Sequence, residues 1–140
     1  MINNTNLDVK MAKRPIMEKT KVYEATENAQ YSHHPYLCRF NGRFIALFSN
    51  GAIHEDDAGQ RAVISYSDDF KTWTTPKQLE VTGNPKSVDT ACGLFVYDNV
   101  LYVYVGIPVS ATAFAILATM CRATSASSVK RWRLLRMART

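Results

Sequence analysis

The chain has 140 residues, 46% of them hydrophobic, one domain's worth of sequence with enough apolar content to bury a core. Its formal charge of +5 is uneven: residues 1–98 carry 11 Lys or Arg against 12 Asp or Glu, and residues 99–140 carry 6 against none. The basic excess thus belongs to the tail, where no aromatics interleave with the arginines along a binding element, so nucleic acid is not an expected partner. Cys38, Cys92 and Cys121 are odd in number and form neither a CxxC nor a Cys/His spacing, so neither a disulfide framework nor a zinc site is indicated and buried free thiols are the default expectation.

Residues 1–30, beginning "MINNTNLDVKMAKRPIMEKTK", are polar and lack the apolar stretch of a secretory signal. They predict a flexible lead-in or an edge strand, and a cytoplasmic location is the default. Next come "PYLCRF" and "RFIALFS", two β-prone runs joined by Asn41-Gly42, the dipeptide that best tolerates the two positive φ angles of a type I′ turn. A hairpin is expected there. The adjacent His33 and His34 precede it; on a regular strand they point to opposite faces, so at most one faces a pocket.

The loop "HEDDAGQ" concentrates Glu55, Asp56 and Asp57. A carboxyl crowded by carboxylates resists ionising and can donate a proton near neutral pH, whereas the plain alternative is a solvated charged loop. His54 with these three carboxylates has suitable metal-ligand types, but no second ligand spacing accompanies them, so no metal or other cofactor is expected. A third strand, "RAVISYS", and a short fourth around Leu79 to Val81 complete a four-stranded antiparallel meander. "GLFVYDNVLYVYVG" predicts a second hairpin at Asp98-Asn99, with Leu101, Val103 and Val105 on one face and Tyr102 and Tyr104 on the other.

The hairpins from Leu37 and from Leu94 superimpose at an offset of 57 residues, with Phe40 over Tyr97 and Asn41-Gly42 over Asp98-Asn99. Repetition at about 50 residues per four-stranded unit is the mark of a β-propeller. The expected fold is therefore all-β, with one to two four-stranded antiparallel blades; a β-sandwich with two ordinary hairpins is the alternative.

"YSDDFKTW" resembles the Asp-box, S-x-D-x-G-x-T-W, of sialidases and other BNR-repeat propellers, with Asp68, Thr72 and Trp73 on the pattern and Tyr66 and Phe70 off it. There, Asp68 is expected to accept backbone N–H groups and Trp73 to pack beneath the turn, a structural role. The order "HHPYL", hairpin, "EDDAGQ", "AVISYSDDFKTW" is similar to that of sialidase-like chains over roughly residues 31–106. The resemblance implies the N-terminal portion of a six-bladed glycoside hydrolase acting on terminal sugars of glycans. It puts Asp57 at the acid/base, with Asp56 and Glu55 beside it, and His33, with His34 next to it, at a substrate-binding position where the family has a carboxylate-clamping Arg. Sialic acid as the substrate is thereby put in question. A non-catalytic carbohydrate-binding or interaction propeller is the alternative function.

Residues 107–140 lack Asp, Glu and Gly and break the strand–turn rhythm. An irregular or helical tail is expected. Three accounts compete: a truncated or frame-shifted reading, which is favoured; a transmembrane helix over the uncharged residues 100–121, against which Pro108 and the patterned tyrosines argue; and a basic amphipathic helix in "SVKRWRLLRMA". The resemblance places the nucleophilic Tyr, its Glu and two further clamp arginines in later blades, so this chain alone is expected to be inactive. The glycan, the linkage and the oligomeric state are left open.

Overall fold

The computed structural model describes residues 16–110, 113–122 and 131–135, with side chains described up to residue 108 and at residues 115 and 116. Its strands are β1 (Tyr31–Phe40), β2 (Arg43–Gly51), β3 (Arg61–Ser67), β4 (Lys77–Gln78), β5 (Thr90–Tyr97), β6 (Val100–Ser110), β7 (Ala113–Arg122) and β8 (Arg131–Leu135). They form two four-stranded sheets in simple sequential order, β1 to β4 and β5 to β8, with every pairing antiparallel. The chain is all-β, as two partial propeller blades.

Both hairpins turn where the sequence places them. Phe40 pairs with Arg43 and Tyr97 with Val100. Positive φ occurs at both central residues of each turn, 49° and 79° at Asn41-Gly42 and 47° and 56° at Asp98-Asn99, as a type I′ turn requires. The repeat extends further than its sequence match. Each first strand carries a β-bulge, between His33 and Tyr36 in β1 and between Ala91 and Gly93 in β5, and the same 57-residue shift carries one bulge onto the other.

The main apolar core lies between the sheets. Ile45 and Leu47 of β2, Ala62 and Ile64 of β3, Ala91 of β5, and Leu101, Val103 and Val105 of β6 bury one face each, every second residue along the strand. Tyr102 and Tyr104 occupy the half-buried opposite face of β6. The other face of β2, Ala46 and Phe48, is also buried; the Tyr23 ring of the lead-in meets Phe48 at 5.7 Å. The first sheet is thus covered on both faces, and β2 reads as a nearly continuous apolar run for that reason.

Two expectations are corrected. The fourth strand lies at Lys77–Gln78, just before the predicted Leu79 to Val81; Leu79 still donates its N–H to the Ala62 carbonyl at 2.9 Å and buries its side chain. The expected irregular or helical tail over 107–140 is strand wherever it is described: β6 runs on to Ser110, β7 pairs along its full length with β6, and β8 pairs with β7. The β-branched and aromatic content of β6 provides a long pairing template that the Ala/Thr-rich segment follows, overriding its weak strand signal. Residues 100–121, weighed as a helical span, fall in β6 and β7 where described, and among the described residues no helix is long and apolar enough to cross a membrane.

The two-sided burial of β2 gives a direct contrast. Leu47, wholly buried between the sheets, and Leu37, 53% exposed on β1, differ only in environment. Leu47→Ala is expected to cost about 2–5 kcal/mol and Leu37→Ala less than about 1 kcal/mol, read from urea unfolding midpoints at constant m-value.

Candidate functional site

Three chain segments meet at one end of the first sheet: the start of β1, the β2–β3 loop of residues 52–60, and the start of β5. His33 pairs with Ser49 and Tyr36 with Leu47, so His34 and Pro35 together stand opposite Phe48. Pro35 has no N–H to give the ladder, and a bulge is where a strand tolerates that. His34 takes a φ of 50°. The bulge breaks the alternation of side chains, so the two histidines do not diverge as expected: their ring centroids are 4.0 Å apart.

Both rings converge on Glu55. Its Oε1 is 3.0 Å from His33 Nδ1 and 3.4 Å from His34 Nε2. His33 is only 13% exposed, while His34 and Glu55 are about half exposed. The other His33 nitrogen, Nε2, lies 2.9 Å from Oε1 of Gln60. The Gln60 amide has its orientation fixed by its remaining bonds: Oε1 accepts the Asp56 N–H at 3.1 Å and Nε2 donates to Thr90 Oγ1 at 3.0 Å. His33 Nε2 therefore donates to Gln60, and closing the Glu55 contact as a hydrogen bond demands a second proton on Nδ1, the imidazolium form.

The three loop acids are set apart from one another. Glu55 goes to the histidines; Asp57 Oδ2 accepts the His54 N–H at 3.0 Å and stays half-buried; Asp56, at φ 61°, offers its N–H to Gln60 and leaves its side chain exposed. Gln60, Thr90 and Arg61 were not singled out from the sequence. Gln is ordinarily a surface residue, and nothing in "AGQRAV" marks it as buried. Arg61 donates to the main-chain carbonyls of Gln60, Asn84, Pro85 and Ser87, holding the loop that leads into β5.

The Asp-rich turn lies at the other end of β3, whose seven residues at about 3.3 Å each put it about 20 Å away. Here the expected carboxylate is corrected by one position. Asp69, not Asp68, fixes the turn: its Oδ1 accepts the N–H groups of Lys71 at 2.8 Å and Thr72 at 2.7 Å and the Ser67 hydroxyl at 3.0 Å, and its Oδ2 accepts the Thr72 hydroxyl. Asp68 instead pairs with Arg43 at 2.6 Å. Counting forward from Ser67 rather than back from Trp73 finds Asp69, because the turn is one residue shorter than the pattern. Trp73 packs edge-on against Phe70, which in turn meets Phe44.

The hydrogen bonds from the Thr72 and Lys71 backbone, in that order of effect, lower the Asp69 pKa from 3.8 to about 2. A carboxyl more acidic when folded than when unfolded stabilises the fold fully above about pH 4, and that contribution fades as the pH falls through 2. Asp69→Asn, which keeps an acceptor but has no charge to lose, is expected to flatten the fall of stability between pH 4 and pH 2. Unfolding midpoints measured at pH 5, 3 and 2 check this; an unchanged acid slope would separate the turn from the acid response.

No protein-family model matches the sequence, and no curated protein matches it. Among solved structures the chain is similar to Trypanosoma rangeli sialidase, determined in complex with sialic acid, with a TM-score of 0.53 and 14% identity over 81% of this chain and 20% of the sialidase. The chain therefore spans about a fifth of the length of that enzyme, covering 20% of it. At this identity the likeness concerns the fold, a sialidase-like β-propeller.

Proposed function

We propose that the two sheets belong to a sialidase-like exo-glycosidase that removes terminal sugars from glycans, with Asp57 as the proton donor to the leaving group. One observation carries this: the loop bearing Asp57 meets the paired histidines at one end of the sheet, about 20 Å along β3 from the Asp69 turn. A propeller gathers its functional loops at one end of its channel, so a separation of scaffold turn from carboxylate loop is what such a site needs. Asp57 is held by its own loop, with Oδ2 on the His54 N–H, and its partial burial leaves it reachable. In this reading the chain supplies one wall of the site, since hydrolysis needs groups on both sides of the scissile bond.

The state of His33 supports a second reading, a carbohydrate-binding propeller without catalysis. Both of its ring nitrogens are engaged by protein oxygens, so it braces the loop rather than reaching for a sugar carboxylate. His34 and Glu55, both part exposed, are the groups left to face a ligand.

A protein carrying this segment within a complete propeller separates the two. Asp57→Asn preserves shape but removes the transferable proton. It is expected to lower kcat on sugars with poor alkyl leaving groups by about 10²-fold or more and to spare activated aryl glycosides, which depart without protonation. Equal loss on both substrates would remove Asp57 from the acid's role, and glycan binding without any turnover in the parent would favour the binding reading.

A further inference from the structure

We propose that His33, His34 and Glu55 form a binding site for a divalent transition-metal cation of the zinc type. Each of the three residues offers one ligand atom within 4.8 Å of the others, and His33 Nδ1 and His34 Nε2 both face Glu55 Oε1. The nitrogen-to-oxygen separations of 3.0 and 3.4 Å bracket the spacing of about 3.3 Å between neighbouring ligand atoms in a tetrahedron with bonds near 2.0 Å. Two imidazoles and one carboxylate suit zinc and its neighbours rather than calcium or magnesium, and three protein ligands leave a fourth position open.

The hydrogen bonds of Gln60 orient His33 in a way that suits a cation ligand. With the Gln60 amide locked by Asp56 and Thr90, His33 must donate from Nε2, which leaves a neutral ring with its Nδ1 lone pair aimed at Glu55, acceptor against acceptor. His34, by contrast, can donate to the same oxygen from a neutral Nε2–H tautomer, so the unrelieved contact is that of His33 Nδ1 with Glu55. A metal ion resolves that contact with both rings neutral. The Gln60 oxygen then plays the part of the outer hydrogen-bond acceptor that fixes the tautomer and aim of a metal-bound histidine. Gln60 is fully buried and shares its bonds with β5, so that orientation is rigid, and the part exposure of His34 and Glu55 gives an ion access from solvent.

The site shares the mouth of the proposed glycan site but does not use Asp57, so metal uptake and the Asp57→Asn test are read separately. The full 140-residue chain, stripped with a chelator, is titrated with ZnCl₂ by calorimetry, and Co²⁺ is added separately to read the visible absorption of a tetrahedral nitrogen–oxygen site. Saturable 1:1 uptake, the cobalt bands, and at least a tenfold weakening in both His34→Ala and Glu55→Gln are expected. Those two side chains are the part-exposed members of the set, so the sheets should persist in both variants; circular dichroism confirms it, and zinc should raise the Tm of the parent chain but not of the variants. No saturable uptake by the folded chain overturns the proposal. So does unchanged affinity in both variants, which would assign the zinc to groups elsewhere, such as the free thiols of Cys38 or Cys92.

Discussion

The Gln60 side chain, with no exposed surface, is hydrogen-bonded to three different segments: His33 on β1, the Asp56 backbone in the carboxylate loop, and Thr90 at the head of β5. Its main chain adds further ties, from its N–H to the Asp57 carbonyl and to its own carbonyl from the Asp89 N–H and the Arg61 guanidinium. A buried amide left without partners costs about 1–3 kcal/mol, so the three segments are bound to one arrangement: moving any of them strands a polar group away from water. The pairing of the histidines with Glu55 follows from this, since Gln60 sets the plane of the His33 ring and Asp56 sets the path of the loop that delivers Glu55.

The junction of the two sheets is apolar in the middle and polar at this end. Alternate residues of β2, β3 and β6 supply the apolar part, which is non-directional and tolerates sliding. Direction comes from the polar groups at the seam. The buried Ser49 hydroxyl accepts the Ala91 N–H at 2.9 Å, and the Ser87 hydroxyl donates to the buried Asp89 carboxylate at 2.7 Å. The first bond registers the second sheet on the first and the second fixes the loop entering β5, so the mouth where the loops meet has a defined shape although two separate sheets build it.

Much of the scaffold was legible because it depends on local rules. Asn41-Gly42 and Asp98-Asn99 are residues that accept left-handed backbone, and Leu101, Val103 and Val105 show the period of a strand with one buried face. The cluster at the loop end was legible only in some of its members and not in its arrangement. His33, His34 and Glu55 could be named, yet their convergence depends on a bulge whose effect is to suspend the very alternation used to separate the histidines. Gln60 was hidden because its burial is a property of the tertiary seam and not of its neighbours in sequence. Asp69 was displaced by one position because adjacent aspartates fit a motif equally well in either frame, and only hydrogen-bond geometry distinguishes them. The described part of the tail failed as a prediction for a related reason: its strands are imposed by pairing with β6.

Arg61 grips the loop before β5 entirely through main-chain carbonyls, those of Asn84, Pro85 and Ser87. A guanidinium has no acceptor and a rigid fork of donors, so it recognises the course of the chain and not the identity of the side chains along it. Mutational drift is thereby distributed unequally: at Lys86, for example, the residue can change with little consequence so long as the peptide groups keep their course, whereas Arg61 has no substitute with the same reach and the same set of donors.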